Sequence, residues 1–238
     1  QTVIDGLDVS SYEAQLSNGI PDVEINEGYY PMLYLWRRLN IASGGPGLNR
    51  GGLGLDFAWA PHGTEALLGT LENSMAAVPS RGMLGGYPGA THFFNVVRGT
   101  GILDALAGRK RMPQSVTELG GVEETLINHV AGVPLPKTDV FHQITGGGAG
   151  MGDPLLREAA RVCVDVRDGY ISASQALSAY GVACSARGEL DAAGTEQARR
   201  AIRRERLGAD PERPAPTPGG DWVPALILDG DGDGRSFR

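Results

Sequence analysis

Two kinds of residue in this chain could do chemistry: glycines crowded into loops, and a handful of isolated polar side chains. The densest loop is TGGGAGMGDP, Thr145 to Pro154, which holds Gly146, Gly147, Gly148, Gly150 and Gly152 ahead of Asp153. Successive glycine N–H groups in front of a helix start make an anion nest, suited to a phosphate or an oxyanion. The same glycines would equally let the backbone pack closely against another segment. No Gly-Lys-Ser/Thr follows the run, and no three of its glycines have G-x-G-x-x-G spacing. Apart from Thr145 the loop lacks the cation or hydroxyl that phosphate loops carry, which weighs toward the packing turn. A second glycine loop, SGGPGLNRGGLGL from Ser43 to Leu55, adds Ser43, Gly44, Gly45, Arg50, Gly51 and Gly52 as candidate binding residues.

The four histidines are His62, His92, His129 and His142. None has a second ligand-type residue at a metal-site spacing, so no metal is expected on this chain. His142 lies three residues before the glycine run and close to Asp139, and these two are the candidate catalytic pair. There is no G-x-S-x-G elbow and no serine with an evident base. The adjacent Glu123 and Glu124 read more simply as a solvated turn than as acid–base partners. Asp229, Asp231, Asp233 and Gly234 imitate the start of a calcium loop, but its twelfth position falls beyond Arg238. The arginines from Arg199 to Arg206 offset a helix dipole or dock on an acidic neighbour.

The elements that must position these groups divide at residue 153. Before it, short apolar runs (Tyr29–Ile41, Leu55–Ala60, His92–Val97, Glu124–Val130, Val140–Ile144) alternate with glycine turns and predict strands. Residues 1–42 read as extended, and Leu67–Val78 as a short helix. From Asp153, an N-cap followed by proline predicts a helix to Asp168. A second helix is expected from Ser172 to Tyr180 with Gly181 as its stop, and a third over about 192–207. The proline-rich 208–221 is a linker, and the apolar 222–238 cannot form a core alone, so it reads as a docking tail. The expected fold class is α+β: a glycine-rich β domain over 1–152, a helical segment over 153–207, then linker and tail.

Bulk properties bound the function. The 238 residues carry 36 glycines and a net charge of −7, which argues against a general nucleic-acid binder. No apolar run is long enough to span a membrane, and Asp5 and Asp8 break any secretory h-region. Cys163 and Cys184 form no C-x-x-C and read as free thiols in a reducing cytoplasm. The sequence opens on Gln1 rather than Met, so the gene product is expected to begin upstream.

Three stretches in order, SGGPGLNRGGLGL, GMLGGYPG (Gly82–Gly89) and TGGGAGMGDPLLREAARVCVDVRDGYISASQALSAYGV (Thr145–Val182), jointly resemble the C-terminal half of the hydantoinase B/oxoprolinase family. That family includes 5-oxoprolinase, N-methylhydantoinase and the large subunits of acetone and acetophenone carboxylases. The resemblance covers roughly residues 1–207. It implies ATP-dependent chemistry on a carbonyl. A partner ATPase subunit of the hydantoinase A type phosphorylates the substrate, and the B-type subunit works on the activated species. The outcome is carboxylation of a ketone enolate or hydrolysis of a cyclic amide.

B-type members are much longer, with metal-binding His and Asp residues in an N-terminal half that has no counterpart here. The chain therefore resembles a split subunit, with ATP and a divalent metal expected on partner subunits. Those partners are the ATPase, the N-terminal B-type half and, as a further candidate, a small zinc subunit. Split subunits favour a ketone carboxylase working on a phosphoenol intermediate; a cyclic-amide hydrolase and a non-catalytic scaffold remain the alternatives. Ala42 stands where the family commonly has an Asp before S-G-G, and Arg81 lies near the position of its usual aromatic. Asp139 matches the Asp of the family's turn before the last strand.

Overall fold

The computed structural model describes residues 5, 6, 8, 22–71, 78–108, 111–126 and 130–207. The linker, the docking tail with its acidic turn, and His129 lie outside the described residues. The chain forms two compact units, 1–199 and 200–238, of which the second is described only over 200–207. No helix among the described residues is long and apolar enough to cross a membrane.

The body of the first unit is a five-stranded antiparallel sheet. Its strands are β1 (Met32–Asn40), β2 (Gly54–Pro61), β4 (Phe93–Arg98), β5 (Val122–Leu126) and β7 (Val140–Ile144), in the order β1-β2-β7-β4-β5. Period-two alternation sorts β2 cleanly: Leu55 and Phe57 enter one core, while Ala58 and Ala60 enter the other. One face packs on a two-stranded ribbon of β3 (Ala66–Leu71) and β6 (Val130–Pro136), with Phe94, Val96, Val133, Leu135 and Phe141 between them. The other face is covered at one end by Ile102 and Leu119, from α2 (Ile102–Gly108) and α3 (Val116–Leu119).

A third core belongs to the helical segment, where Val162, Cys163, Val166, Ile171, Ala176, Tyr180 and Val182 pack together. They come from α4 (Ala159–Arg167), α5 (Ala173–Tyr180) and their flanks. Ser172 closes a reciprocal capping box with Gln175, and Gly181 ends α5 in the left-handed conformation, as the sequence predicts. A short ribbon of β8 (Ala183–Cys184) and β9 (Leu190–Asp191) leads into α6 (Ala192–Leu207). The fold class is α+β.

Three local expectations are corrected. Residues 66–71 form a strand, because Leu67 and Leu71 pack on the core of the sheet. A spacing of four satisfies a helix turn and two strand repeats alike, and tertiary pairing decides. The extended reading of 1–42 misses α1 (Val23–Tyr29), which is capped by the Asp22 carboxylate accepting from the Glu24 N–H. The single helix expected from Asp153 is two elements: a 3₁₀ turn over Pro154–Leu156, then α4. Asp153 does cap the turn, accepting from the Leu155 N–H at 2.9 Å. The break falls at Arg157, whose extended backbone lets its side chain turn inward and become 1% exposed.

Candidate functional site

The glycine loops meet in one layer. The Gly45 N–H donates to the Gly148 carbonyl at 2.8 Å, and the Gly148 N–H to the Gly52 carbonyl at 2.9 Å. Gly150 donates to Tyr87, Met151 to Asn49 and Gly152 to Met83. A β-carbon on Gly150 would stand inside the Pro46 carbonyl, whereas one on Gly148 would meet nothing closer than the Gly52 nitrogen at 3.2 Å. Close backbone approach is therefore what these glycines supply. The amides of Gly148, Gly150, Met151 and Gly152 already face protein carbonyls, so a phosphate or oxyanion would have to be held by other groups. Thr145 is fully buried, its hydroxyl accepting from the Leu55 N–H at 2.6 Å. The Ser43 hydroxyl donates to the Asn40 carbonyl and accepts from the Gly54 N–H. Gly44, Gly51, Gly146 and Gly147 belong to the same layer: the Gly44 β-carbon position abuts the Gly51 carbonyl, and that of Gly147 abuts the Ser43 carbonyl.

Arg50 leaves this layer for a buried ionic clamp. Its guanidinium bonds Asp8 at 3.0 Å and Asp165 at 3.4 Å, and lies over the Tyr170 ring. Arg157 binds Asp5 through two nitrogens and Asp165 through one, and Arg161 adds a contact to Asp5 at 2.8 Å. Burial pushes the Asp5 carboxyl up, but Arg157, the Arg50 N–H and Arg161 outweigh it and hold the group below its ordinary range. Tyr180, buried beside the clamp, is pushed up to about 12. Burial and the neighbouring Cys184 push the Cys163 thiol up to about 11; neither cysteine is in a disulfide.

His142 lies on the sheet face that α2 and α3 only partly cover. Cross-strand register puts it between Ala58 on β2 and Asn95 on β4. Because Ala58 is small, the Trp36 indole reaches over from β1 to 5.6 Å from the imidazole. The His142 Nε2 and the Trp36 Nε1 both donate to Asp56 Oδ1, at 3.0 and 2.9 Å, while Arg38 binds Asp56 Oδ2. Burial raises the Asp56 carboxyl, but the bonds from His142, Trp36 and Arg38 bring it down to about 2. Asp56 is thus a fixed anion, and the Nε2 of His142 must carry a proton.

Asp139 is not part of this cluster. It accepts from the Gly99 N–H and the Arg98 guanidinium, tying the end of β4 to the turn before β7. His92 is buried, with burial lowering its pKa, and His62 is exposed.

Sequence reading missed Asp56, Asn95, Trp36 and Arg38, because no motif links residues from three strands. The available signal was Asp56 itself, a charge inside an otherwise apolar alternating run. It also missed that Asp5 and Asp8 serve the clamp.

Known proteins resemble this chain over most of its length. A family model described as hydantoinase B/oxoprolinase matches residues 2–154. The acetone carboxylase alpha subunit of Xanthobacter autotrophicus is 30% identical over 231 residues, covering 86% of this chain and 28% of that protein. The caprolactamase subunit beta of Pseudomonas jessenii is 33% identical over 181 residues, 76% of this chain and 28% of that one. The nucleotide-free acetone carboxylase structure superimposes with a TM-score of 0.66 at 25% identity, over 89% of this chain and 30% of its own. The ATP-dependent caprolactamase structure from Pseudomonas jessenii gives 0.54 at 26% identity, over 75% and 28%. This chain spans less than a third of the length of these relatives.

Proposed function

Since the chain belongs to the hydantoinase B/oxoprolinase family, we propose that it supplies part of the B-type body of an ATP-dependent ketone carboxylase. The observation that carries this reading is the similarity to acetone carboxylase, which covers more of the chain, in sequence and in structure, than the similarity to caprolactamase. In this reading a hydantoinase A-type ATPase subunit phosphorylates the enolate oxygen of the ketone. Enol phosphate and bicarbonate then give the keto acid and inorganic phosphate: the O–P bond of the enol phosphate and one C–O bond of bicarbonate break, that oxygen leaves on phosphorus, and a C–C bond forms at the carbon beside the ketone carbonyl. Phosphorylation traps an enolate that is otherwise scarce and supplies a leaving group.

Among the described residues no three His, Cys, Asp or Glu side chains come together to hold a metal. The reading assigns ATP and the divalent metal to the partner subunits, the N-terminal B-type half and the ATPase, with a small zinc subunit as a further partner. What this chain contributes is the glycine layer, the clamp and the His142 cluster.

A cyclic-amide hydrolase is the second reading, favoured by the higher identity to the caprolactamase subunit. Isolating the tagged chain with its native partners and supplying ATP, labelled bicarbonate and a ketone tests the first reading. Fixed label that depends on this chain supports carboxylation. Ring-opened product from a lactam, with no label fixed, supports hydrolysis instead. Turnover that persists when the chain is left out reduces it to a scaffold.

A further inference from the structure

The His142 cluster holds two buried acceptor sites that nothing in the protein fills. His142 Nδ1 and Asn95 Oδ1 are both without a hydrogen-bond partner, on side chains at least nine-tenths buried. They belong to residues directly opposite one another across β7 and β4, so the two side chains are neighbours on one face of the sheet. An unpartnered buried acceptor forfeits its bond to water with nothing in return, and a fold that keeps two on neighbouring residues is one in which something occupies them.

The chemistry of the occupant follows from the partners already made. Asn95 gives its N–H to Glu123 Oε1 at 2.7 Å, and a carboxylate only accepts, so the free Asn95 atom is the oxygen. His142 donates its Nε2–H to Asp56, so of the two neutral tautomers the one that fits leaves the lone pair on Nδ1. The carboxylate of Glu123 stands 3.7 Å from Nδ1, too far to bond it. Two acceptors side by side call for one small molecule that donates twice.

We propose that His142 Nδ1 and Asn95 Oδ1 together hold an ordered water in the resting protein, and that Nδ1 is the base which takes a proton during turnover. The resting water gives one hydrogen to each acceptor. In turnover the proton leaves a donor atom, the electron pair stays on that atom, and Nδ1 becomes N–H. Asp56 and Glu123 then face the two N–H groups of the imidazolium and stabilise it. The base role rests on the functional reading above, yet suits either reaction within it. Carboxylation needs a proton removed from the carbon beside the ketone, and amide hydrolysis needs one removed from water. Asp56, Trp36 and Arg38 are positioning residues, because they act through the imidazole.

The ligand-free chain tests the resting site without any substrate. A crystal structure should show one water within hydrogen-bond distance of both atoms, and nitrogen NMR of labelled histidine, assigned with His142→Gln, should show the tautomer with Nε2 protonated and Nδ1 bare. A dry gap, or an Nδ1 already protonated and bonded to Glu123, overturns the proposal.

Asn95→Leu keeps the volume and removes the acceptor. In the assembled complex it should lower kcat by about tenfold or more, and His142→Gln by about a hundredfold or more, at unchanged assembly. Asp56→Asn should shift the pH profile of kcat, which a purely structural role would not do. If Asn95→Leu instead raises the melting temperature and leaves kcat intact, the pair was an unfilled defect and the proposal fails. Wild-type complex that turns over neither ketone nor lactam defeats the functional reading, while the resting water and the tautomer stand or fall by the first two measurements.

Discussion

Two buried polar regions of this molecule differ in how completely they are closed. In the clamp, every oxygen of Asp5 and Asp165 meets a guanidinium or a backbone N–H, and Arg157 is 1% exposed. One atom, Arg157 Nε, lacks a partner. In the sheet-face cluster the anion Asp56 is equally well satisfied, but two acceptors on the next strands are open. The first arrangement joins segments far apart in sequence, from Asp5 to Asp165, and leaves no carboxylate oxygen of that pair open. The second holds the imidazole through Asp56 and leaves its Nδ1 unsatisfied. The clamp engages both oxygens of each of its inner carboxylates, whereas the sheet face leaves open two acceptors on neighbouring strands.

The largest expected effect breaks the clamp. Arg157→Met leaves Asp5 and Asp165 buried without their main counter-charge and should cost about 3–5 kcal/mol in denaturant unfolding. A loss comparable to that of a surface pair would erase the distinction drawn here.

The glycine layer offers an internal contrast of its own. Gly150→Ala should cost several kcal/mol, on the order of 3, because its β-carbon would meet the rigid main chain at Pro46. Gly148→Ala should cost about 1, since its neighbours need give only slightly. Equal melting temperatures for the two variants would count against close packing as the reason for the glycines.

Acid should then separate the two regions. Asp56 has a depressed pKa, so its contribution is complete above the ordinary carboxylate range near pH 4 and is lost as pH falls toward about 2. The shift corresponds to about 2 kcal/mol. Subtracting the unfolding free energies of Asp56→Asn from those of the unaltered chain across that window should leave this slope, and a flat difference would contradict it. Asp5 is displaced in the same direction, so the clamp weakens in acid too, and only the difference against the variant isolates the sheet face.

The smallest expected effect is a gain. Ala42 sits at a φ of +65° with its N–H bonded to the Tyr170 carbonyl. Relieving this with Ala42→Gly should add about 0.5–1 kcal/mol, after the extra unfolded-chain entropy of glycine is deducted. Asparagine, which also tolerates this conformation, should gain less, and a loss with both would show that the backbone there is not strained. The same φ gives a conformational reason for an Asp at this position, independent of any polar role.

Local signals were legible wherever a residue acts on its immediate neighbours. Ser172, Gly181 and Asp153 each did what capping chemistry requires, and β7 and α6 lie where apolar spacing puts them. Short or doubly periodic segments were not legible. Leu67 and Leu71 fit two periods at once, and α2 and α3 are too short to establish one.

By itself the sequence determined that glycine clusters would build this protein around close main-chain contact, and that their order matches one family. It determined these things because glycine permissiveness and helix capping are properties of one residue and its nearest neighbours. Only the tertiary structure decided that Asp56 on β2, Asn95 on β4 and His142 on β7 share one face, and that Arg50 and Arg157 meet N-terminal carboxylates. Those encounters depend on which strands pair and in what register, and a one-residue slip of β7 would turn His142 into the opposite core.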